Sequence, residues 1–235
     1  MRLLLISNST NAGEEYLNYP KQNIKEFLGE KPVKALFIPY AAVTFSFDLY
    51  EEKVRNRFRE VGHDVVSIHR FSDPVKAIEN AEAIVVGGGN TWQLLKMVRD
   101  NMLIEPIRKR VLGGIPYIGW SAGSNLACPT IRTTNDMAIT EPDSFKSLAL
   151  IPFQINPHYL DANPAGHAGE TREQRIEEFI EINPGIHVVG LREGTMLLIE
   201  QARMKLIGPR KARIFLRGQA PDELGPENDM TYLLK

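Results

Sequence analysis

The sequence predicts an α/β fold built on a mostly parallel, doubly wound sheet with a short antiparallel C-terminal extension. Three observations carry that expectation. Nearly continuous apolar runs recur at residues 3–6, 35–38, 65–68, 83–86, 115–119 and 187–191, as expected of strands buried on both faces. Helix-spaced segments alternate with them, as parallel strands require for their crossovers. Two of the runs end in glycine-rich turns, at the strand ends where such sheets open a functional crevice.

Taken in order, the first apolar run has only about five residues before Ser7-Asn8-Ser9, too few for a signal segment or a membrane span. It reads as a first strand. Helical spacing then predicts helices over 21–28, 48–61, 74–80, 91–98, 104–112, 122–127 and 171–182. Residues 196–200, 204–207 and 213–216 are short strand-like runs with close turns, suited to an antiparallel extension. No linker or repeat divides the 235 residues, so one domain is expected, with a surface tail from about residue 218. With 43% apolar and 24% charged residues and a formal charge of -1, the composition gives no reason to expect nucleic acid or an anionic membrane as partner. A small ligand or a protein fits better, and a homodimer is compatible. The single cysteine, Cys128, precludes an internal disulfide and suits the cytoplasm.

The stretch Gly119-Trp120-Ser121-Ala122-Gly123 lies between an expected strand and an expected helix. Chance alone places a Gly-x-Ser-x-Gly match in about one chain in ten of this length. The strand–turn–helix context is what gives it chemical meaning. Small neighbours permit a strained turn that lifts the Ser121 hydroxyl from the sheet and frees the Ala122 amide for an oxyanion. A second amide can come from the Gly87-Gly88-Gly89-Asn90-Thr91 loop, although the same loop could cradle phosphate or serve as a turn capped by Thr91.

A base is needed beside the serine. His158, stiffened by Pro157, is the first candidate and His167, in a glycine-containing loop, its competitor. Two carboxylates could orient the imidazole: Glu193, at the end of the expected strand 187–191, and Asp136, on a polar loop. The strand end favours Glu193 as the better-held group. Thr171 and Gln174 have the spacing of a capping box. Arg172, in the first turn of that helix, opposes the dipole preference for acids and makes sense with an anionic partner.

Together, the runs at 87–91, 119–136, 154–158 and 169–176 resemble the peptidase E family, the alpha-aspartyl dipeptidases of serine peptidase family S51. The resemblance extends from residue 3 to about residue 209. It implies a flavodoxin-like or glutamine-amidotransferase-like fold and cytoplasmic hydrolysis of Asp-X dipeptides, with neither metal nor cofactor. Ser121 would be nucleophile, His158 base, and Gly89 and Ala122 the oxyanion donors, while the third member stays open between Glu193 and Asp136. Arg172 would then meet the aspartyl β-carboxylate, and Glu170 or Asn90 the α-ammonium. A β-aspartyl hydrolase resembling the cyanophycin-degrading enzymes, and a non-catalytic ligand-binding module, are the alternatives.

Overall fold

The computed structural model describes residues 1–163, 165–166 and 168–235. The chain runs β1 (Arg2–Ile6), α1 (Lys21–Leu28), β2 (Lys34–Ile38), α2 (Phe47–Arg59), β3 (Asp64–Ser67), α3 (Pro74–Glu79), β4 (Ile84–Val86), α4 (Thr91–Asp100), α5 (Ile104–Leu112), β5 (Pro116–Trp120) and α6 (Ala122–Ala127). It continues through β6 (Gln154–Tyr159), α7 (Arg172–Ile182), β7 (Val188–Arg192), β8 (Met196–Glu200), β9 (Arg203–Ile207), β10 (Ala212–Phe215) and β11 (Asp222–Leu224). No helix among the described residues is long and apolar enough to cross a membrane.

Seven strands form the central sheet in the order β3-β2-β4-β5-β1-β8-β9. The first five in that order are mutually parallel, and β8 and β9 extend the sheet antiparallel from β1. Side-chain alternation in β1 explains its position. Leu3 and Leu5 join one apolar cluster while Leu4 and Ile6 join the other, so both faces of the strand are covered. Each such buried side chain contributes roughly 1.5–3 kcal/mol. By contrast β9 alternates exposed and buried residues, and at the sheet edge its Arg203 and Lys205 face water.

A second sheet has the order β11-β10-β7-β6. This corrects the expectation that 187–191 extends the parallel array of the central sheet: β7 pairs in parallel with β6 and antiparallel with β10. The physical reason is the presence of β6. Gln154, Asn156, Pro157 and His158 disguise it as a loop in sequence, yet it supplies the edge that β7 joins. Ile155, Val189, Leu191 and Ile214 share one core with Leu3 and Leu5, while α7 covers the other face through Ile176 and Ile180. The expected tail is also tied down. Arg192 bridges Asp161 and Glu223, and Arg213 bridges Glu223 and Glu173.

Helix entries follow local chemistry. Ser46, Asp73, Asn90 and Thr171 each accept a hydrogen bond from an amide in the first turn of the helix they precede. The Thr171–Gln174 capping box is formed on both sides. Asn90, rather than Thr91, is the cap of α4.

Candidate active site

The carboxyl ends of β1, β4 and β5 converge, with Trp120 level with Ile6 and Gly119 level with Val86. Immediately beyond, Ser121 takes φ 52 and ψ -112, a conformation that costs a non-glycine residue of order 1–3 kcal/mol. Its surroundings enforce it. The Ser121 amide donates to the Ile6 carbonyl at 3.0 Å, and the Ser124 hydroxyl lies 2.8 Å from the same carbonyl and 2.9 Å from that of Gly119. A Cβ on Gly123 would stand 2.3 Å from the Val86 carbonyl oxygen, so only glycine lets α6 sit this close to β4.

His158 comes from β6, where the register slips between Pro157 and Tyr159 and φ is 53. The irregularity turns the imidazole out of the sheet. One hydroxyl fixes it: the His158 amide donates to Ser7 Oγ at 3.0 Å, and Ser7 Oγ donates to the Leu191 carbonyl at 2.7 Å. Ser7 thereby joins the end of β1 to both β6 and β7. His158 Nε2 lies 2.9 Å from Ser121 Oγ, and Nδ1 lies 3.1 Å from Glu193 Oε1. A carboxylate only accepts, so Nδ1 carries the proton and Nε2 accepts from the serine hydroxyl.

Glu193 occupies the turn where the chain leaves β7 for β8 and so crosses between sheets. The Gly194 amide donates to Asn8 Oδ1 at 2.9 Å, which holds that turn against the loop after β1. His158 and Glu193 keep 38% and 41% side-chain exposure, enough for a small molecule to reach them from solvent.

The loop after β4 approaches Ser121 from the other side. Gly89 has φ +135, and a Cβ there would meet the Ala41 carbonyl oxygen at 2.3 Å. Neither the Gly89 nor the Ala122 amide has a hydrogen-bond acceptor among the described residues. Behind them stands a group invisible to the motif reading. Tyr50 Oη donates to the Gly88 carbonyl at 2.8 Å and receives bonds of 3.2 Å from Trp120 Nε1 and Tyr16 Oη. Burial pushes the Tyr50 phenol up to about 12, so it remains a donor near neutral pH.

A family model described as Peptidase family S51 matches residues 3–207. The chain belongs to that family. A Peptidase E from Nostoc sp. strain PCC 7120 is 53% identical over 234 residues, covering 100% of this chain and 97% of the relative. A Peptidase E from Salmonella typhimurium strain LT2 is 48% identical over 219 residues, covering 93% and 95%. Among solved structures, a peptidase from an acI-B1 Actinobacterium superposes with a TM-score of 0.71 at 17% identity, covering 97% of this chain and 96% of the other. A putative Peptidase E protein from Listeria monocytogenes gives 0.65 at 22% identity, covering 88% and 98%. At those identities the two structures attest the fold. As a member of S51, this chain is a peptidase.

The other expected site residues of this S51 peptidase take distinct places. Asp136 does not touch His158. Its Oδ2 accepts from the Thr91 amide at 2.8 Å, from Thr91 Oγ1 at 2.5 Å and from Thr134 Oγ1 at 3.1 Å, so it fastens the start of α4. Asn90 is occupied too: its Oδ1 caps the Gln93 amide and its Nδ2 donates to the Met137 carbonyl. Its Oδ1 thus already serves the helix start, with one lone pair left for a second donor. Glu170 is exposed and 3.7 Å from Arg175. His167 lies outside the described residues.

Arg172 is half-buried, and Nη1 donates to Asn135 Oδ1 at 2.5 Å. Asn135 in turn donates to the Pro157 carbonyl at 2.6 Å, one residue from His158. Among the described residues Arg172 makes no ion pair, whereas Arg192 is held by two carboxylates. Burial, then the charge of Arg175, lowers the Arg172 pKa from its ordinary value. A cavity of about 190 Å³ contains Arg172, Asn135 and Asp136. Elsewhere Asp48, Glu51 and His69 bring ligand atoms within 4.8 Å of one another. Glu51, however, already accepts from Arg55 and Arg70, and Arg70 also binds Asp48, so a cation there would meet guanidinium charges.

Proposed function

We propose that this peptidase is a serine dipeptidase that hydrolyses dipeptides beginning with aspartate, through an acyl-enzyme on Ser121. Ser121 Oγ attacks the peptide carbonyl as its proton passes to His158 Nε2, and Glu193 stabilises the imidazolium through Nδ1. The free amides of Gly89 and Ala122 receive the oxyanion. His158 then gives its proton to the departing amine. Water, deprotonated in turn by His158, attacks the aspartyl ester and regenerates the serine hydroxyl.

The observation that carries the substrate assignment is Arg172, a half-buried guanidinium whose hydrogen-bond partner is a neutral amide and which is linked through Asn135 to the Pro157 carbonyl, next in sequence to His158. A β-carboxylate would supply the missing charge in bidentate geometry. Arg172→Met is therefore expected to weaken kcat/KM for Asp-Leu by roughly 2 to 5 kcal/mol, with a far smaller effect on Asn-Leu. Arg172→Lys should recover only part of the loss. Steady-state assays of both substrates test this, and an unchanged Asp-over-Asn ratio in a folded Arg172→Met protein would overturn the assignment. Adding β-Asp-Leu to the panel separates the β-aspartyl alternative.

Tyr50 should act on the same chemistry at one remove, because its bond to the Gly88 carbonyl polarises and orients the peptide that carries the Gly89 amide. Tyr50→Phe is expected to lower kcat about tenfold with KM little changed, and to cost about 1 kcal/mol of stability. Parallel kinetics and denaturant melts check both. A rise in KM with kcat retained would assign Tyr50 to substrate binding instead.

A further inference from the structure

A second cavity of about 370 Å³, distinct from the one that Arg172 lines, is walled by Tyr16, Phe45, Tyr50 and Trp120 with Ser9, Thr10 and Lys53 also lining it. Ser121, His158, Gly88 and Gly89 line it as well. Larger cavities of about 440, 530 and 750 Å³ border neither Ser121 nor His158.

The walls have a definite chemistry. Tyr50 packs edge-on against Phe45 at 5.2 Å, and Tyr16 does so against Trp120 at 6.3 Å. Phe45 nonetheless keeps 45% exposure, so an apolar surface stands open beside the nucleophile. Lys53 Nζ sits 4.1 Å from the Tyr16 ring centre, which holds the ammonium at this aromatic wall. Among the described residues Lys53 is the single lysine or arginine lining the cavity, and no aspartate or glutamate joins it.

We infer that this cavity receives the second residue of the dipeptide, with the aromatic walls taking an apolar side chain and Lys53 pairing with the free C-terminal carboxylate. The inference rests on the proposed reaction. If the aspartyl side chain points to Arg172, which lines a different cavity, the scissile carbonyl stands at Ser121 and the leaving residue continues into the cavity that Ser121 and His158 themselves line. The departing amine must also lie near His158 Nε2, and His158 borders this cavity. A longer peptide places a neutral amide where the carboxylate of a dipeptide would lie, so Lys53 selects for dipeptides by charge.

Asp-Leu and its C-terminal amide Asp-Leu-NH2 separate this role from the rest of the machinery. Lys53→Met is expected to reduce the ratio of kcat/KM for Asp-Leu over Asp-Leu-NH2 about tenfold, largely through KM, as befits a charge pair at a solvent-exposed rim. Lys53→Arg, which keeps the charge, should retain most of the ratio. Phe45→Ala should lower the Asp-Leu over Asp-Gly preference about tenfold by removing apolar contact. Cleavage with both ratios unchanged in Lys53→Met and Phe45→Ala overturns the inference alone. Failure of the wild type to cleave any of these Asp compounds overturns the proposed reaction and the inference with it.

Discussion

Ser121→Ala and His158→Ala are each expected to lower kcat for Asp-Leu by about three or more orders of magnitude, and the double substitution should add little to either. The near-equality follows from geometry. In the proposed reaction the Ser121 proton passes to His158 Nε2, 2.9 Å from Oγ, so removing either partner removes the same step. Folding should survive both changes. The elbow is held by backbone and by Ser124, and His158 is anchored through its amide to Ser7, contacts that alanine retains. Single-turnover kinetics with a thermal melt on each variant make the comparison. Normal turnover in either folded variant would remove that residue from the reaction.

Glu193→Gln is expected to cost roughly 10³ to 10⁴ in kcat, because an amide cannot stabilise the imidazolium and can present its own N–H to Nδ1, favouring the wrong tautomer. Asp136→Asn should behave differently. Its carboxylate receives the Thr91 amide and two hydroxyls at the start of α4, so the expected loss is mainly stability, about 1 to 2 kcal/mol, with most of the turnover kept. Measuring kcat and the denaturation midpoint for both variants gives a crossed pattern. Should Asp136→Asn lose turnover and Glu193→Gln keep it, the orienting role belongs to Asp136.

The parallel half of the fold was legible because strands covered on both faces must be apolar throughout, and residues 3–6 and 83–86 advertise that directly. The elbow was legible for a related reason: the close approach of α6 to β4 demands glycine at 123. What remained hidden depends on partners distant in sequence. β6 mixes Gln154, Asn156 and Pro157 into a strand, and its polar side chains find their bonds elsewhere, such as Asn156 to the Thr133 carbonyl. With β6 concealed, the allegiance of β7 to a second sheet was concealed as well. Ser7, Asn8 and Tyr50 carried no signal either. A serine after a strand or a tyrosine on a helix looks ordinary until Leu191, Gly194 and Gly88 are brought to it. Asn90 shows the converse: a residue in a ligand-compatible loop also caps its own helix, a second task that its place in the sequence did not reveal.

The pairing of β1 with β8 sets an order of events during synthesis. One edge of β1 can close early, against β5, but the other stays unpaired until the ribosome has made the strand that ends at Glu200. A nascent chain thus carries Ser121 well before it carries His158 and Glu193, and through that interval it has an exposed sheet edge and no imidazole beside the serine. Such an edge is a template for unwanted strand addition. The same topology means that the Ser121–His158–Glu193 chain of hydrogen bonds cannot be completed before β7 and β8 arrive, because the turn between those two strands both places Glu193 and leads into the strand that closes β1. The three side chains therefore come together only in the nearly finished molecule.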